Sequence, residues 1–126
     1  MVRDWWQRGR GFDLWSIPHF LFGILMAFVS PLTGISFFSA LILTIALAIL
    51  WEAFEKIIHV RESVQNILWD ITLSIVAFVV TSFILLTYPP HPDDLFVVAA
   101  VVLILFAFTN ISGWLAYRRR NRDFMH

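Results

Sequence analysis

Seven side chains in this sequence have types and spacings that could work together chemically. The stretch from Trp51 to Asp70 carries Glu52, Glu55, His59, Glu62, Asn66 and Asp70 within an otherwise apolar chain. At 100° per residue, Glu52, Glu55 and His59 fall within an arc of about 60° on one helix. Glu62, Asn66 and Asp70 fall within about 80° on the next, with Gln65 and Trp69 at their edge. Two antiparallel helices joined by a short turn would bring these stripes face to face, and an upstream helix would add His19. Such a set suits either of two chemistries. His19, Glu55, Arg61, Asn66 and Asp70 could hold a polar head, with Arg61 and Lys56 reaching a phosphate. Alternatively, Glu52, Glu55, His59, Glu62, Asp70 and His19 could supply oxygen and imidazole ligands to one or two divalent ions. For His19 alone, an inter-helix hydrogen bond to a carboxylate is the commoner use in membrane helices.

The elements that must position these residues follow from composition. The chain has 126 residues, 60% hydrophobic and only 14% charged, with a mean hydropathy of +0.79 and no cysteine. Soluble domains are roughly 25% charged, so this chain has too few charges to cover a surface in water. The lack of cysteine excludes a disulfide framework or thiolate metal site. Nine Lys and Arg balance nine Asp and Glu, which leaves no net field for nucleic acid. The expected class is an all-α, four-helix transmembrane bundle forming a single integral membrane domain over residues 1–126. Its spans lie at about 14–30, 35–58, 64–88 and 95–117, each close to the 17–25 residues a bilayer core requires.

Punctuation sets most of these limits. Pro31 and Gly34 close the first span, and Pro89-Pro90-His91-Pro92 close the third. Asp93 or Asp94 is placed to cap the fourth. Between Ile35 and Tyr88 there is no Gly or Pro, so charge alone locates a turn near His59–Ser63. An unbroken helix there would run about 80 Å and could not bury both apolar halves. The N-terminal stretch carries Asp4, Asp13 and Trp5–Trp6 and offers no clear small-residue cleavage site, so it reads as a retained span and not a signal peptide.

Loop charge predicts orientation. With four spans, the N-terminus, the middle turn and the C-terminus share one side. Those segments hold Arg3, Arg8, Arg10, Lys56, Arg61, Arg118, Arg119, Arg120 and Arg122, all nine of the chain's positive side chains. Lys and Arg favour the cytoplasmic face, so both termini are expected inside a cell (inner) membrane. The six tryptophans, at 5, 6, 15, 51, 69 and 114, fall at or near that same interface, where indole rings favour the headgroup layer.

Depth discriminates among functions. Counted from Ile35, Glu52 lies about 26 Å along its helix, near the inner hydrocarbon boundary. A midplane carboxylate would argue for ion transport; carboxylates at headgroup depth argue for contact with lipid heads, an interfacial metal or plain solvation. Charges at helix ends commonly sit in water or form surface pairs contributing about 0–1 kcal/mol. That bland account is weakest for Glu52 and Asp70, which border long apolar runs. Asn110, Ser112 and Gly113 in the fourth span read as packing residues. No P-loop, nucleophile elbow or zincin motif occurs.

Asp13-Leu14-Trp15-Ser16-Ile17-Pro18-His19-Phe20, followed by Glu55, Arg61, Asn66 and Asp70, resembles the pattern of small VanZ-like and YjdF-like polytopic membrane proteins. The resemblance covers about residues 13–77. Ser74 and Ala77 stand where that pattern has Asn and Gly. It implies a small polytopic protein, with one member type linked to glycopeptide-antibiotic resistance, and functional positions at Asp13, His19, Glu55, Arg61 and Asp70.

The expected function is therefore a small integral membrane protein with an acidic and histidine-bearing site at the cytoplasmic interface, binding a lipid headgroup or amphiphile without a cofactor. One alternative is a membrane metalloenzyme of lipid chemistry with a divalent ion. Another is an accessory subunit whose helices pack on a larger membrane complex; a membrane protein partner or a homo-oligomer is the further expectation for contacts. The expected partners are membrane lipids and not nucleic acid.

Overall fold

The computed structural model describes residues 16–57 and 64–124. Five helices follow in order: α1 (Ser16–Ala27), α2 (Val29–Thr33), α3 (Phe37–Ile57), α4 (Val64–Thr87) and α5 (Pro92–Phe124). Every regular element among the described residues is a helix. Four segments are long and apolar enough to cross a bilayer: Ser16–Thr33, Phe37–Ile57, Val64–Thr87 and Pro92–Arg119. The all-α, four-span expectation holds for the described residues. The turn near His59–Ser63 lies outside them.

The first crossing segment is broken where its sequence requires it. Pro31 has no N–H and its ring crowds the carbonyl four residues back, that of Ala27. The helix yields at Phe28, whose N–H instead donates to the Leu25 carbonyl at 3.1 Å. It resumes as α2, with Pro31 in its short span, and ends at Gly34, which takes the left-handed conformation with φ 83°. Pro31 thus kinks the span, and Gly34 closes it.

The caps come partly from unexpected residues. The Ser36 hydroxyl accepts the Ser39 N–H at 3.1 Å, capping α3. The α5 helix opens with Pro92, whose missing N–H costs nothing at a first helical position. His91 Nδ1 accepts the Asp93 N–H at 3.3 Å, so Asp93 and Asp94 sit in the first turn while His91 does the capping. At its far end α5 runs past Tyr117 through the arginine cluster to Phe124, because Arg is a good helix former.

The interior is inverted relative to a soluble protein. Among the largest fully buried side chains are Glu55, Asn66, Thr44, Asp70 and Ser74, with Phe78 the one apolar member. Outward-facing positions carry Phe38, Ile42, Ile104 and Phe108, each at least two-thirds exposed. Apolar side chains gain nothing by leaving lipid for protein, so the helices associate through small residues and polar contacts instead. The buried stripe of α3 is Ala40, Thr44, Ala48 and Glu52; that of α4 is Asn66, Asp70, Ser74, Ala77, Phe78 and Ser82. A modest apolar cluster of Met26, Ala27, Ala40 and Phe78 fills the half of the bundle away from the acidic residues.

Helix α1 packs most extensively on α4. Gly23 permits this: a Cβ there would stand 2.8 Å from the Ala77 Cβ and closer still to the Ser74 carbonyl oxygen. The α1 and α4 backbones therefore approach nearly to contact, one helical turn from His19. Leu95 and Ala99, near the start of α5, pack on Phe28 at the break after α1 and on Ile24 of α1.

Candidate functional site

Each polar residue of the site occupies the buried stripe of its own helix. His19 stands in the first turns of α1. Glu52 lies about 22 Å along α3 from Phe37, and Asp70 about 9 Å along α4 from Val64. The antiparallel course of α3 and α4 brings those depths to one end of the bundle. There His19 Nε2 is 3.2 Å from Asp70 Oδ2 and 3.9 Å from Glu52 Oε1. Donor atoms of these three residues all lie within 4.8 Å of one another, and all three residues are buried. Glu55 and Asn66 are fully buried one turn beyond Glu52 and Asp70, toward the same end.

The backbone around the imidazole is held in place. The Ser74 hydroxyl lies 2.9 Å from the His19 carbonyl oxygen and 3.1 Å from that of Asp70. One hydroxyl proton thus serves carbonyls on two helices, tying the histidine turn of α1 to the aspartate turn of α4. With the Gly23 approach just beyond it, this fixes the depth and rotation of the imidazole against the carboxylates.

Beside the cluster is a cavity of about 200 Å³, lined by Pro18, His19, Phe22, Leu47, Ala48, Trp51, Phe106 and Asn110. These residues come from α1, α3 and α5. His19 belongs both to this wall and to the acidic cluster. Toward the middle of the bundle the Phe22 and Phe106 rings meet at 6.1 Å. Toward the acidic end, Trp51 and Trp114 meet edge to face at 5.9 Å, and Trp114 continues to Phe54 and Tyr117. Rings thus bracket the cavity above and below. Asn110 donates from Nδ2 to the Phe106 carbonyl at 2.9 Å, which leaves its amide oxygen available to a guest.

Of the residues singled out from sequence, His19, Glu52, Glu55, Asn66 and Asp70 are buried together at one end of the bundle. Lys56, expected to help hold a phosphate, is exposed on another face of α3, since one residue's step rotates it about 100° from Glu55. His59, Arg61 and Glu62 lie outside the described residues, as does Asp13. Gln65 and Trp69 are exposed at the edge of their stripe. Sequence places at the site neither Ser74, the tie between helices, nor any residue of the cavity wall besides His19, and two of those wall residues, Phe106 and Asn110, come from α5. The four-residue step from Asp70 to Ser74 was a usable signal for the first. Nothing in the sequence sets the register of α5 against α1, so the other two had none.

No family model matches the chain, and no curated protein or solved structure matches it either. The resemblance to VanZ-like proteins therefore rests on the quoted residues alone.

Proposed function

We propose that the chain is a multi-pass protein of a cell membrane that binds a membrane amphiphile, with the guest's apolar part in the cavity and its polar head against His19. The observation that carries this reading is the cavity wall itself. It is almost wholly apolar, yet one of its members is an imidazole backed by two buried carboxylates. Ligand sites in general combine an apolar enclosure with a few polar groups that fix orientation. Asn110, which α5 contributes to the wall, supplies a second polar group. Carboxylates and imidazole suit a head that presents hydroxyl or ammonium donors.

Filling the cavity tests the reading. Ala48 is buried and lines the wall, so Ala48→Leu should expel the guest while leaving the acidic cluster in place. Native mass spectrometry from mild detergent should show co-purifying lipid on the wild type and at least a tenfold lower occupancy on the variant. Equal occupancy would reject the reading.

The same reading puts the N-terminus, the α3–α4 connection and the C-terminus on the cytoplasmic side, supported by the nine positive side chains in those segments and at the helix ends that adjoin them. A reporter active only outside the cytoplasm, fused to either terminus, should stay silent. Strong activity would reverse the orientation.

A further inference from the structure

We infer that His19, Glu52 and Asp70 form a binding site for one divalent first-row metal ion. The donor set is one imidazole nitrogen and two carboxylate oxygens, contributed by three different helices. Oxygen and nitrogen ligands of this kind suit ions such as Zn²⁺ and Mn²⁺, whereas a copper(I) site would call for sulfur. Metal–ligand bonds of about 2.0–2.2 Å hold neighbouring donors about 3.0–3.5 Å apart. His19 Nε2 and Asp70 Oδ2 are already at 3.2 Å. Glu52 Oε1 stands 3.9 Å from the same nitrogen and within 4.8 Å of the Asp70 donor, so it must draw in by roughly an ångström or somewhat more, a movement that a glutamate side chain can make by torsion.

Position favours the ion as much as distance does. A precise metal site needs its donors on rigid elements with supporting contacts behind them. Here the donors stand on helix interiors, and the Ser74 hydroxyl and the Gly23 approach fix α1 against α4 immediately alongside. Three protein donors would leave the ion a further coordination position, as in sites that act on a substrate. His19 is also part of the cavity wall, so the ion would lie one side chain away from the head of the proposed guest. That last connection rests on the amphiphile reading; the binding of the ion does not. A purely structural role would make the imidazole a bridge between two carboxylates, and such a bridge would retain no ion.

The test uses the full chain in detergent, purified without added metal, exposed to Zn²⁺ or Mn²⁺ and desalted. Elemental analysis should find one ion per chain. His19→Ala and Asp70→Asn should each weaken retention by at least about tenfold, while His91→Ala, on an exposed residue where α5 begins, should not. X-ray absorption on the zinc-loaded wild type needs no variant to fold: it should show one imidazole and oxygen donors. Absence of a stoichiometric ion, a zinc shell with no imidazole or with two, or loss of the ion in His91→Ala would overturn the proposal. Metal bound with no lipid retained would defeat the amphiphile reading alone, and lipid retained with no metal would defeat the metal site alone.

Discussion

Helices α4 and α5 both pack on α1, and they do so by different means. Against α4, α1 presents Gly23 and the carbonyl of His19, and the two backbones nearly touch. Against α5, it presents Phe22 and Ile24, with Phe28 just past its end, so the helices are separated by side chains and a cavity remains. The buried share of the apolar 18-residue stretch falls from 28% in α4 to 17% in α5. Dispersion and hydrogen bonds grow with close backbone approach, and in lipid they replace the hydrophobic drive of soluble proteins. The close pair can therefore hold chemistry to a fraction of an ångström, while the looser one leaves room for a guest. Precision resides at α1–α4 and access at α1–α5.

A bulky residue placed at each contact would break the comparison if it were wrong. Gly23→Leu forces side-chain atoms into the Ser74 carbonyl and Ala77, neither of which can swing aside. It should cost about 3 kcal/mol or more, far above the gain of about 1 kcal/mol from replacing a helical glycine. Ala99→Leu, at the buried start of α5, meets the side chains of Phe28 and Leu95, which can adjust, and should cost about 1 kcal/mol. Unfolding titrations in bicelles would compare the two, and equal costs would dissolve the distinction.

Ser74→Ala sharpens the account on a finer scale. It removes the hydroxyl shared between the His19 and Asp70 carbonyls without changing the backbone. Both carbonyls keep their places in their helices, so a loss of about 0.5–1.5 kcal/mol is expected. The same titration measures it, and a neutral result would show that Gly23 packing alone sets the imidazole's position.

The sequence discloses these two regions unequally. Four spans, and the convergence of His19, Glu52, Glu55, Asn66 and Asp70 at one end, follow from helical spacing and from the even number of crossings. Gly23 and Ala27 stand on the His19 stripe at four-residue intervals, so a close contact for α1 is also legible. The break at Phe28 is less so. Pro31 reads as the end of a span, but a proline tolerated near the start of a new helical segment only kinks the path. The cavity could not be read at all. It depends on how far along α1 the helix α5 sits, which is set by Phe28, Leu95 and Ala99 acting together, and Asn110 appears in sequence as no more than a packing residue. Polar residues in apolar helices are conspicuous one by one, whereas the space between helices distant in sequence is visible only once they are assembled.

The central claim is that His19 and Asp70 meet across the α1–α4 contact, and a double-mutant cycle measures that meeting directly. His19→Ala, Asp70→Asn and the double variant would be unfolded in bicelles alongside the wild type. Inter-helix polar contacts in membranes show couplings averaging about 0.6 kcal/mol and reaching about 1.7 kcal/mol. A pair 3.2 Å apart and buried should fall in the upper part of that range. Effects that add within about 0.5 kcal/mol would contradict the account, because two residues that do not interact cannot form the core of one site.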